Sequence, residues 1–164
     1  MSFDQRAFRD ALSTFVTGVT VITTCSRSGT FAGITANSFN SVSLDPPLIL
    51  WSLGRDSGSF STFEAADHFA VHILSEAQAD LSMRFATVGA DKFSGLQTTT
   101  GIGGVPLIED CTARLECSVF ERVPAGDHII YIGQVERINT NSKIDPLVYH
   151  AGDYARLEAS KSIA

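Results

Sequence analysis

The chain has 164 residues, 44% of them hydrophobic and 18% charged, with a formal charge of −6. That length suits one domain with a sizeable core, and an acidic chain without any Lys/Arg run excludes nucleic-acid backbone binding as a main task. No apolar run approaches the ~18 residues of a membrane-spanning helix, so a membrane role is not expected.

Ser2 and Gln5 have capping-box spacing, with Asp4 in the first turn. Phe3, Ala7, Phe8, Ala11, Leu12 and Phe15 then recur at helical spacing, which predicts a helix ending near Gly18. Residues 19–25, rich in Val, Ile and Thr, read as a strand, and 30–34 as its hairpin partner across a turn at 26–29. Residues 35–47 are packed with hydroxyl and amide side chains, end in Asp-Pro-Pro, and read as a polar connecting segment. A strand at 48–53, a loop at 54–59, a short helix around 60–66 and a strand at 68–74 follow. Ser75 and Gln78 form a second capping box, opening a helix through about Ala86. Residues 87–109 hold five glycines and predict loops, with a turn of helix at 91–93. Cys111, Ala113, Leu115, Cys117, Val119 and Val123 alternate with Thr112, Arg114, Glu116, Ser118 and Arg122, predicting a long strand with one buried face. A turn at 124–127 leads to a second long strand at 128–138, and 146–149 is a last short strand. Many hairpin-linked strands with few helices point to a mainly β fold, an antiparallel barrel with peripheral helices.

The N-terminus lacks the basic and then apolar layout of a signal peptide. Cys25, Cys111 and Cys117 form no C-x-x-C and are read as buried thiols of a cytoplasmic protein. Gly101-Ile102-Gly103-Gly104-Val105-Pro106 fails as a dinucleotide fingerprint, because Pro106 stands at the third glycine position. There is no P-loop and no G-x-S-x-G. His68 and His72 lie in a strand-like run without a carboxylate set, so no metal site is expected. The 35–47 segment offers neutral donors and acceptors without Lys or Arg, groups that suit a flat polar ligand with a phosphate tail.

Taken in order, several fragments resemble the short-chain flavin reductase family, the reductase components of two-component flavin monooxygenases. They are Phe15-Val16-Thr17-Gly18-Val19-Thr20-Val21-Ile22-Thr23, Gly33-Ile34-Thr35-Ala36-Asn37-Ser38-Phe39 and Ser41-Val42-Ser43-Leu44-Asp45-Pro46-Pro47-Leu48. Further matches are Phe69-Ala70-Val71-His72-Ile73-Leu74, Arg84-Phe85-Ala86, Asp91-Lys92-Phe93, Gly126-Asp127-His128 and Pro146-Leu147-Val148-Tyr149-His150. The resemblance spans roughly residues 3–157. It implies one flavin reductase-like domain over 1–164, a split β-barrel (a Greek-key antiparallel barrel of the FMN-binding kind) and a homodimer. It also implies hydride transfer from NADH or NADPH to FMN or FAD, with reduced flavin passed to a partner monooxygenase.

By the same resemblance, Thr35, Ala36, Asn37 and Ser38 form the flavin-binding loop, continued along the ring by Ser41, Val42, Ser43 and Leu44. Ser52, Ser57 and Ser59 lie near the phosphate. Arg84 and Phe85 match another cofactor-side segment, with Arg84 offering a phosphate contact, and Lys92 and Phe93 flank the same site. The turn Gly126-Asp127-His128 sits where the nicotinamide nucleotide docks, with His128 as the catalytic-site residue. Tyr154 lines the substrate side. Other readings of such a barrel are a pyridoxamine-phosphate oxidase, which expects basic phosphate ligands that 35–45 lacks, and a non-enzymatic flavin-binding module.

Overall fold

The computed structural model describes residues 4–157. Helix α1 (Gln5–Ser13) is capped by the Asp4 side chain, which accepts from the Arg6 N–H at 3.2 Å. The Ser2 part of the predicted capping box lies outside the described residues. The helix stops short of Gly18 and buries none of its residues. Strands β1 (Thr17–Gly18), β2 (Thr20–Cys25), β3 (Phe31–Ala36), β4 (Asn40–Leu44) and β5 (Pro47–Gly54) follow, then α2 (Phe60–Glu64) and β6 (His68–Ile73). The Ser75–Gln78 capping box is present and leads into α3 (Ala79–Ala86). After β7 (Thr99–Thr100) and β8 (Pro106–Leu107) come the long β9 (Ala113–Ala125) and β10 (His128–Thr140), then β11 (Val148–His150) and β12 (Asp153–Ala155).

Seven strands form one antiparallel sheet in the order β3-β2-β6-β9-β10-β5-β4. Its edge strands β3 and β4 are joined by residues 37–39 alone. A flat sheet would hold these edges ~29 Å apart, and the connection reaches at most ~14 Å. The sheet is therefore strongly curled, and residues from β2, β3, β5, β6, β9 and β10 share one core built on Trp51, Tyr131, Phe63 and Phe69. Trp51 stacks on Tyr131 at 4.9 Å and meets Phe63 and Phe69 edge-on. A second core on the other face packs α3 and β11 against Val19 and Val21.

Three expectations change. The 35–47 segment is not one loop: Thr35 and Ala36 finish β3, and residues 40–44 are an edge strand hydrogen-bonded to β5. An edge strand facing solvent tolerates the Ser and Asn content that reads as loop. No helical turn forms at 91–93; a 3-10 turn lies instead at Ile102–Gly104, its Ile102 N–H held by the buried Glu116 carboxylate of β9 at 2.9 Å. The alternation of β9 holds only to Val119. Ile132 pairs with Glu121 and Gly133 with Val119, so Phe120 is bulged out. Beyond the bulge the faces exchange, and Arg122 turns to the core side opposite Tyr131. There it donates to the Ala66 carbonyl at 2.6 Å and lies over the Tyr131 ring.

His72 is a satisfied core histidine. Its Nδ1 lies 3.0 Å from the Val21 carbonyl, and its Nε2 accepts from the Ile108 N–H at 3.1 Å. That pairing fixes the neutral ring with the proton on Nδ1. Burial pushes its pKa from 6.5 down to about 4. The unfolded chain then binds a proton that the folded chain refuses, so this stability is present above 6.5 and lost as pH falls toward 4. We expect a loss of roughly 3 kcal/mol across that window. Urea midpoints at pH 7.5 and pH 4 measure it, and His72→Gln should remove most of the difference. An equal loss in the variant would mean that other groups drive the acid sensitivity.

Candidate active site

A cleft of about 720 Å³ opens between the free edge of β3, the loop after β5 and the loop after α3. The strand pairing explains its position. β3 is paired on one side only, so carbonyls on its outer edge need partners from elsewhere. The Gly33 carbonyl accepts from the Lys92 ammonium at 3.0 Å and from the Ser59 hydroxyl at 3.3 Å. Gly33 is needed there, because a Cβ would sit 2.3 Å from the ring of buried Phe85.

Lys92 is half-buried, and burial holds its ammonium below the usual lysine range. Among the described residues it has no carboxylate at ion-pair distance. The cleft's carboxylates are Asp56 and Asp91, and Asp91 accepts from the Ser94 N–H. An ammonium with donors left over, beside the hydroxyls of Ser57, Ser59 and Thr62, is a set that favours an anion.

On the opposite wall stands His128. Gly126 and Asp127 form a two-residue hairpin loop between β9 and β10, with Gly126 at φ 63°. A positive φ at the first central position alone is the type II′ arrangement, which asks for glycine there. His128 pairs with Gly54 across the β10–β5 ladder, and the Arg55 N–H donates to the Asp127 carbonyl, tying the hairpin tip to the cleft loop. His128 Nδ1 lies 2.8 Å from Asp127 Oδ1. This hydrogen bond holds the Asp127 carboxyl below its usual range and occupies Nδ1, leaving Nε2 outside that pair.

The cleft thus gathers Ser57, Ser59, Lys92, Phe93 and His128 from the sequence-predicted set. Thr35, Ala36, Asn37 and Tyr154 line a neighbouring groove of about 330 Å³ that meets the cleft at Ala86. Thr35 spends its hydroxyl on the Ser82 carbonyl at 2.6 Å, and the Tyr154 hydroxyl donates to Ser82 Oγ at 2.7 Å. Ser38 and Ser52 bond to each other, pinning residues 37–39 to β5. Ser41, Val42, Ser43 and Leu44 lie on edge strand β4 and line neither space.

One assignment needs correction. Phe85 has no accessible surface, so it cannot touch a cofactor; it buttresses Gly33 from behind. Arg84 Nη2 donates to the Asp91 and Ser94 carbonyls and so shapes the loop bearing Lys92. Sequence reasoning missed Phe31, Asp56, the Gly33 carbonyl and Ser82. A glycine inside a strand is the one signal that pointed to Gly33.

Residues 12–158 match the model of the flavin reductase like domain. The chain belongs to the flavin reductase family. It is 45% identical over 91% of its length to the reductase component of the flavin-dependent trigonelline monooxygenase of Acinetobacter baylyi, covering 48% of that protein. It is 44% identical over 93% of its length to the FMN reductase (NADH) SmoA of Agrobacterium fabrum, covering 86% of it. The structure of the Streptomyces globisporus NADH:FAD oxidoreductase SgcE6, in complex with NAD and FAD fragments, superposes with a TM-score of 0.91 at 32% identity, covering 97% of this chain and 96% of that one. The chain spans about half the length of some curated relatives, the trigonelline protein among them.

Proposed function

We propose that this flavin reductase uses NADH or NADPH to reduce FMN or FAD and hands reduced flavin to a monooxygenase. The observation that carries this reading is the half-buried Lys92, with no carboxylate partner among the described residues, facing a cleft whose other wall is His128. The residues fit the ligands: Lys92, Ser57 and Ser59 hold a phosphate, and His128 Nε2 accepts from a nicotinamide nucleotide. When bound, the two rings supply the redox chemistry, a hydride passing from one to the other. The protein's part is to hold them in contact. Asp127 keeps the His128 tautomer, and Arg84 and Phe85 hold the Lys92 loop and the Gly33 wall. The groove at Thr35, Ala36, Asn37 and Tyr154 flanks the ring end of the flavin, with Ser38 and Ser52 bracing it.

The curled sheet is read as a split barrel within one domain. Exposed Phe15, Val16 and Leu44 (75%, 54% and 95% accessible) support a homodimer whose second copy covers them and brings β4, with Ser41, Val42, Ser43 and Leu44, to a flavin. A light-scattering mass of one chain at micromolar concentration would contradict it. No helix among the described residues is long and apolar enough to cross a membrane, and three unbridged cysteines suit a reducing cytoplasm.

Purified protein mixed with FMN or FAD and each nucleotide should oxidise the nucleotide only when flavin is present, followed as loss of its absorbance. No flavin-dependent oxidation with either nucleotide sinks the reading. His128→Ala should raise the apparent KM for the nucleotide about tenfold, more than that for flavin, for loss of one hydrogen bond with its stacking surface. A larger effect on flavin would discard this role.

A further inference from the structure

Phe31, at the start of β3, is 47% exposed although it lines a concave wall. Its ring is 5.7 Å from Phe93 and tilted by 57°. Phe93 in turn meets the fully buried Phe85 at 5.3 Å, edge to face. Phe85 lies against Gly33, where a Cβ would come within 2.3 Å of its ring. A half-exposed aromatic ring is thus backed by Phe93, itself packed on a buried ring, in a cleft that Lys92 also lines. Val88 and Ala90 add apolar surface to the lining of the same cleft. A flat apolar face beside an ammonium and two serine hydroxyls suits a planar base that carries a phosphate. Asp56 and Asp91 also line the cleft, and their charge disfavours a second bare anion in it.

We propose that Phe31, backed by Phe93, is the stacking platform for the adenine of a dinucleotide whose phosphate is held by Lys92. The inference rests on the reductase reading for its choice of ligand, and where FAD supplies the adenine it makes FAD a better ligand than FMN. Adenosine phosphate also occurs in NADH, so the test separates the two sources.

The probe is AMP, titrated against the protein by calorimetry without turnover, alongside FAD and FMN. Phe31→Ala should weaken AMP about tenfold, and Phe31→Leu, which keeps apolar bulk without a π face, by nearly as much. If FAD supplies the adenine, the FMN-to-FAD ratio of dissociation constants falls about tenfold in both variants. If NADH supplies it, that ratio is unmoved and the KM for NADH rises. Unchanged AMP affinity, flavin ratio and NADH KM in folded variants would overturn the proposal. AMP binding that Phe31→Ala abolishes, in a protein showing no flavin-dependent NADH oxidation, would keep this platform and discard the reductase reading.

Discussion

Lys92→Met is expected to raise the dissociation constant for flavin about thirtyfold, the effect of losing one charge-assisted contact to a phosphate in a partly desolvated site. The side chain is half-buried and donates to the Gly33 carbonyl, which fixes where its remaining donors point. Ser59 still donates to the same carbonyl, so the edge of β3 keeps a partner and the fold should survive. Lys92→Arg should recover part of the affinity, since the charge returns without the compact ammonium geometry. Burial already pulls the Lys92 ammonium below the usual lysine range. Affinity in the wild-type protein should therefore fall as pH rises through that lowered value, and Lys92→Met should abolish this alkaline limb. Fluorescence titration with FMN and FAD from pH 7 to pH 10 measures both effects. Equal affinity of Lys92→Met and wild type at pH 7 would remove Lys92 from the site.

Gly133→Ala should cost about 3 kcal/mol and lower Tm by ~8 °C, at the high end of overpacking effects. The added Cβ would meet Phe69 Cζ at 2.3 Å and Cys117 Cβ at 3.1 Å. Phe69 is 1% exposed and packs edge-on against Trp51 at 5.8 Å, so its ring has nowhere to go. Gly133 lies where Phe120 bulges out of β9, and the close approach of ring to backbone belongs to that bend. The double variant Gly133→Ala, Phe69→Leu should regain part of the loss, giving a coupling well outside simple additivity. Calorimetric melts of the four proteins test this. A Gly133→Ala protein within about 0.5 kcal/mol of wild type would show the sheet relaxing around the methyl group.

Much of the strand content was legible because alternation and turn chemistry are local. The hairpin at Gly126-Asp127 and the capping box at Ser75 and Gln78 depend on residues within three positions of one another, and both are found. Errors fell where a distant partner decides. An exposed edge strand and a loop share the same polar composition, so residues 40–44 gave no local sign of pairing with β5. Nothing in the spacing of β9 announces the Phe120 bulge, which exists because β10 pairs with one residue fewer, and so Arg122 was placed outside.

The candidate site divides in the same way. From the sequence by itself, the order of the quoted fragments resembles the flavin reductase family, and that resemblance implies a nucleotide side at His128. Only the tertiary structure separated Arg84 and Phe85, which brace the wall, from Lys92, which faces the cleft. These residues are neighbours along one segment and chemically plausible ligands alike. What tells them apart is the curl of the sheet, which leaves β3 with an open edge and makes its Gly33 carbonyl the point on which Lys92 and Ser59 converge.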